Sequence, residues 1–267
     1  ETPNTHFEIS SPAFPDAYII TETTPSTVAF DGSSGSLGSI SATVFVEETY
    51  DMVNNELIIT DSRLLSKDEV MAIGVDNFAP LSEVPMPRAA TITRGRLTIT
   101  FSGVYNTSKG VSCNLTGTAH WDDSGLHTEG ENYCATGEDF IGVTWSGSFT
   151  AKSHSISGKN QLGGALTIYN SDSTPNAGRV WSFKDSNPTS KYTLYAKDIN
   201  LNVNISKNTL TGNGNTAEAV LKYIHTYSKV KGSISITPGS ETVAGSFSLS
   251  NTDRQWSLVC TVTNIPY

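Results

Sequence analysis

The densest group of residues able to do chemistry is His120–Trp121–Asp122–Asp123–Ser124–Gly125–Leu126–His127–Thr128–Glu129–Gly130–Glu131. Its imidazoles and carboxylates are ligand types for a divalent cation. Carboxylates with carbonyls suit Ca²⁺, whereas His with carboxylate suits Zn²⁺. The metal-ligand candidates are His120, Asp122, His127, Glu129 and Glu131. Their spacing matches neither an EF-hand loop nor the helical His-Glu-x-x-His zinc motif. No cofactor is therefore expected, and Ca²⁺ stays open. Trp121 beside two aspartates also fits a sugar-binding loop, in which an aromatic face packs on pyranose C–H groups and carboxylates accept hydroxyl protons. On that reading Trp121, Asp122, Asp123, His127 and Glu129 touch the ligand. The plainer alternative is a solvated hairpin tip.

Catalytic patterns are missing elsewhere. There is no Gly-x-Ser-x-Gly elbow, no phosphate-cradling Gly-Lys-Ser/Thr loop and no dinucleotide fingerprint. The five histidines are His6, His120, His127, His154 and His225, and a serine triad would have to be assembled from distant segments. Glycoside hydrolysis needs two facing carboxylates. Glu47–Glu48, Glu129/Glu131 and Glu138–Asp139 supply acids, but neighbours on a strand point to opposite faces, so Glu47 and Glu48 make a poor dyad. Surface carboxylates are the ordinary reading. No catalytic residue is assigned, and a non-enzyme is expected.

The cysteines are Cys113, Cys134 and Cys260. A Cys113–Cys134 disulfide stapling the polar loop is the favoured pairing, and closing a loop of that size constrains the unfolded chain by about 3 kcal/mol. Cys260 shares one face with Trp256, Leu258 and Val262 at period two, which predicts a buried, inert thiol.

The elements that must position these residues read as strands. Runs of β-branched and aromatic residues alternate at period two between Gly/Asn/Asp/Ser turns. Ile40, Ala42, Val44 and Val46 form one inward face, with Phe45 opposite. Leu97, Ile99 and Phe101 form a second, and Ile141, Val143 and Trp145 a third. Residues 192–205 read as one or two strands. Segments 232–236, 243–249 and 256–262 read as a closing meander. Ala217–Ile224 has helical spacing but follows an Asn-Gly turn signal, which favours strand. One short helix is predicted over Lys67–Ile73, with Ser66 and Glu69 at capping-box spacing and Gly74 closing it. The fold class is an all-β antiparallel β-sandwich, or two stacked ones, with minimal helix. The organisation expected is an extended Pro/Ser/Gly-rich arm over 1–39, a β domain over 40–150 and another over 160–267, or one continuous domain over 40–267.

Composition narrows the partners. The 267 residues carry 17 Lys+Arg against 26 Asp+Glu, a net charge of −9, which leaves too little basic surface to neutralise phosphates. Nucleic acid is excluded as a partner on that ground. No apolar run approaches the length of a membrane helix, so no membrane insertion is expected. Charged residues are 16%, against about 25% in an average soluble domain, and 67 Ser and Thr fill the gap. Low charge with abundant Ser and Thr points to a secreted or cell-surface chain. Three function classes stay open. The first is a non-enzymatic binding or adhesion protein whose partner is a glycan or a host or cell-surface protein. The second is a structural fibre subunit, self-assembling through residues 1–39. The third is a carbohydrate-active hydrolase.

Overall fold

A computed structural model describes residues 5–28, 33–54, 56–78, 92–123, 137–188, 193–208, 215–227, 232–250 and 252–267. Its strands are β1 (His6–Ser10), β2 (Ile19–Thr24), β3 (Thr27–Val28), β4 (Ser34–Val53), β5 (Glu56–Leu64), β6 (Ile92–Asn106), β7 (Val111–Asp123), β8 (Glu138–Trp145) and β9 (Thr150–Asn160). They continue as β10 (Ile168–Thr174), β11 (Gly178–Lys184), β12 (Ser186–Pro188), β13 (Thr193–Lys207), β14 (Thr216–Thr226), β15 (Ile234–Thr237), β16 (Ser246–Leu249) and β17 (Gln255–Pro266). Helix α1 spans Lys67–Ile73, and a 3-10 turn follows at Val75–Phe78. No helix among the described residues is long and apolar enough to cross a membrane.

The strands form an antiparallel sandwich. One sheet has the order β1-β17-β14-β8-β11-β10. The other runs β12-β13-β7-β6-β4-β2. Along one edge of the long β4 sit β3, β2 and β5 in turn, and β9 lies on β13. Inward residues of both sheets interdigitate, among them Val44, Leu97, Ile99, Leu115, Val143, Trp145, Leu201 and Leu258. Outward positions explain the Ser/Thr excess. Across the nine-stranded sheet Ser41 meets Thr100 at 2.6 Å and Thr43 meets Thr98 at 2.8 Å. Such cross-strand hydroxyl pairs stabilise a sheet face without charge.

Each sheet combines strands from residues 40–150 and from residues 160–267: β8 stands between β14 and β11 in one, and β13 pairs with β7 in the other. Strands from the stretch 1–39 dock on both sheets. It supplies β1 to the edge of β17 and β2 to β4, with Phe7 and Ile9 packed on the core. The closing meander is replaced. β15 and β16 form a separate hairpin that lays Phe247 and Leu249 over Phe140, Val180 and Ile224, on the outer face of the six-stranded sheet. Gly142 permits that approach, since a Cβ there would stand 2.7 Å from the Arg179 carbonyl and 2.9 Å from the Phe247 ring. Residues 193–207 are one strand, and Ala217–Ile224 lies in a strand rather than a helix.

Helix α1 covers the outer face of β4, where Phe45 packs with Leu65, Val70 and Phe78. Its capping box is complete: the Glu69 amide donates to Ser66 Oγ, and the Ser66 amide donates to the Glu69 carboxylate at 2.8 Å. Hydrogen bonds from Arg63 and then from the Ser66 amide hold Glu69 near pKa 2, below its ordinary 4.5. A depressed carboxylate stabilises above its unfolded pKa, and this contribution is lost as pH falls from 4.5 through about 2. Ser66→Ala is expected to cost about 1 kcal/mol at neutral pH. Urea unfolding at pH 7 and pH 2.5 should show the gap to wild type narrowing in acid.

Candidate functional site

The loop singled out in the sequence divides between two environments. His120 and Asp122 lie on the outer face of β7, where strand register places His120 opposite Asp198 and Asp122 opposite Arg96. His120 Nδ1 is 2.6 Å from Asp198, its Nε2 is 3.1 Å from Asp122, and Arg96 donates to Asp122 at 2.9 Å. This is a half-exposed charge ladder in which each group already has a partner. Asp123 ends β7, while His127, Glu129, Glu131 and Cys134 lie outside the described residues.

Trp121 is not a sugar platform. It is 5% exposed and faces the core. The period-two arithmetic that places Leu115 and Ala119 inward carries Trp121 with them. It also carries Cys113, so the expected Cys113–Cys134 bridge is corrected: Cys113 is a free, buried thiol. Burial pushes Cys113 and Cys260 up to about 12, which leaves both thiols protonated and unreactive at neutral pH.

Trp121 leads instead to a buried polar cluster centred on His225. The imidazole lies between Glu48, from the nine-stranded sheet, and Asp139, from the six-stranded one. Its Nε2 is 2.8 Å from Glu48 Oε1 and its Nδ1 is 3.0 Å from Asp139 Oδ2. Asp185 Oδ2 stands 3.8 Å from the same Nδ1. Side-chain exposures are 4% for His225 and Glu48, 0% for Asp139 and 8% for Asp185.

Glu48 and Asp139 are further held. Ser62 and Tyr50 donate to Glu48, and Trp256 Nε1 donates to Ser62 Oγ at 3.0 Å. Tyr223 OH donates to Asp139 Oδ2, and the Thr226 amide donates to Oδ1 at 2.9 Å. Trp121 Nε1 in turn donates to Tyr223 OH at 3.0 Å. The indoles of Trp121 and Trp256 flank the imidazole, with centroids 5.6 and 5.0 Å away. Burial alone would lower the His225 pKa, but the charges and hydrogen bonds of Asp139 and Glu48 more than reverse this and raise it well above the ordinary value. Burial, then the charge of Asp139, raises Tyr223 well above the usual phenol.

Strand register builds this cluster. Glu48 is opposite Ser62 on one side and Thr93 on the other, and His225 is opposite Trp256. Glu48 continues the inward set Val44–Val46, and Asp139 continues Ile141–Val143. The surface assignment of these two acids is therefore corrected. Their signal in the sequence was a charge standing on the apolar phase of an alternating strand. Glu47, on the opposite phase, pairs with Arg63 and Arg94 at 2.8 and 2.9 Å.

Among the described residues, a surface pocket lies elsewhere. A pocket of about 270 Å³ is lined by Asn160, Leu166, Thr167, Tyr169, Lys184, Asn187 and Leu194. Tyr169 is 55% exposed. Asn160 shapes one wall, its Oδ1 accepting from the Leu162 and Gly164 amides at 3.0 and 2.9 Å. Asn160, Thr167, Lys184 and Asn187 offer both donors and acceptors beside the apolar surfaces of Leu166 and Leu194.

No family model and no curated protein matches the chain in sequence. Among solved structures, it is similar to one from work on pH-induced modulation of Streptococcus parasanguinis adhesion by Fap1 fimbriae. That match is 11% identical, covers 85% of this chain and 99% of the other, and has a TM-score of 0.28. The collagen adhesin (CNA) from S. aureus is 8% identical, with 85% of this chain and 88% of the other covered and a TM-score of 0.26. Both are bacterial surface adhesion proteins.

Proposed function

We propose that this protein is a secreted or cell-surface, non-enzymatic binding protein of the adhesion type, and that it holds a glycan in the pocket beside Tyr169. The observation that carries the reading is the pocket itself, where a half-exposed aromatic ring and two leucines stand next to four polar side chains. Saccharide sites combine an apolar platform with a few convergent hydrogen-bonding groups in this way. Two further points support it. Two of the acids that glycoside cleavage could draw on, Glu48 and Asp139, are enclosed between the sheets and tied to one imidazole. The net charge of −9 favours a partner that is not a polyanion.

A glycan array with the purified chain tests the proposal, with Tyr169→Ala alongside. The expected result is a specific hit that Tyr169→Ala weakens at least tenfold without lowering the melting temperature, since an exposed ring adds little to the fold. A hit that survives in the variant would move the site elsewhere. Silence across the array would overturn the glycan reading.

A further inference from the structure

We infer that Asp139, Asp185 and His225 form a buried three-ligand site for a divalent transition-metal cation of the Zn²⁺ type. One potential ligand atom from each lies within 4.8 Å of the other two, and all three residues are buried. Zn²⁺ with bonds of about 2.0–2.1 Å sets tetrahedral ligands about 3.3 Å apart. The separations from His225 Nδ1, 3.0 Å to Asp139 and 3.8 Å to Asp185, bracket that spacing, so small shifts bring all three atoms onto one ion.

The surroundings fit as well. The other ring nitrogen, Nε2, faces Glu48 at 2.8 Å. A metal-bound histidine commonly donates its free N–H to a carboxylate, which fixes the tautomer and aims the ligating nitrogen. Here Nδ1 gives up its proton to solvent, the cation takes that lone pair, and Nε2–H stays on Glu48. Tyr223 and the Thr226 amide hold Asp139 in place.

Mixed nitrogen and oxygen ligands suit Zn²⁺ better than Ca²⁺.

The test strips the whole chain with EDTA in guanidinium and refolds it with and without Zn²⁺. Bound metal after desalting is read by mass spectrometry, and the melting temperature by calorimetry. The expected result is about one Zn²⁺ per chain and a melting temperature raised by several degrees. Asp185→Asn should abolish both effects, while His120→Ala, on the outer face, should leave both intact. Co²⁺ in place of Zn²⁺ should give the visible absorption of a tetrahedral site, a readout independent of any variant. The inference is overturned if refolded wild type retains no metal. It is equally overturned if Asp185→Asn retains the metal undiminished, or if His120→Ala loses it.

Discussion

Asp139→Ala is expected to destabilise the metal-free fold by about 3–5 kcal/mol, the usual cost of removing one partner from a buried ion pair. Three donors lose their acceptor together: Tyr223 OH, His225 Nδ1 and the Thr226 amide. The imidazolium is left with only Glu48 at hydrogen-bonding distance. Urea unfolding in the presence of EDTA, followed by intrinsic fluorescence, checks this directly because Trp121 and Trp256 flank the site. Asp139→Asn should cost less, since its carbonyl still accepts from Thr226. A loss below about 1 kcal/mol for the alanine variant, the size of one ordinary neutral hydrogen bond, would mean that the cluster is already hydrated and does not bind the two sheets together.

Trp145→Ala should cost a similar amount, about 3–5 kcal/mol, for a different reason. Trp145 is 1% exposed and among the largest fully buried side chains. Truncation removes its transfer free energy and leaves a cavity that the two sheets cannot collapse onto. Its Nε1 also donates to the Phe149 carbonyl at 2.9 Å, closing a tight turn in which Gly147 and Ser148 both take positive φ. Trp145→Phe keeps most of the volume and should lose only part of the stability. Denaturant midpoints with an unchanged m-value are the expected readout. Asp139 and Trp145 lie toward opposite ends of the 8-residue strand β8, about 20 Å apart at ~3.3 Å per residue. Their conservative variants should therefore combine additively to within about 0.5 kcal/mol.

Much of this architecture was legible in the sequence because strand alternation is a local property. Ile40–Val46, Leu97–Phe101 and Ile141–Trp145 declare their inward faces without reference to any partner. The capping residues of α1 act within one turn, and the buried state of Cys260 follows from its neighbours. The same alternation, carried a few residues further, reaches Glu48, Asp139 and Trp121. Charge and loop-like surroundings argued for the surface at those positions, and burial prevailed because polar partners arrive from other strands.

Those partners are what only the tertiary structure decided. Glu48 and His225 stand 177 residues apart in sequence, and no spacing rule connects them. Strand order places β4 and β14 in facing sheets and selects which charges are neutralised inside. It also set residues 6–10 on the edge of β17 and brought strands from both halves of the chain into each sheet. The pocket beside Tyr169 likewise draws its walls from four separate segments. Local sequence determines which face of a strand is apolar, because the side-chain period is two. Which strand covers that face, and what polar company it brings, depends on contacts between residues far apart in the chain.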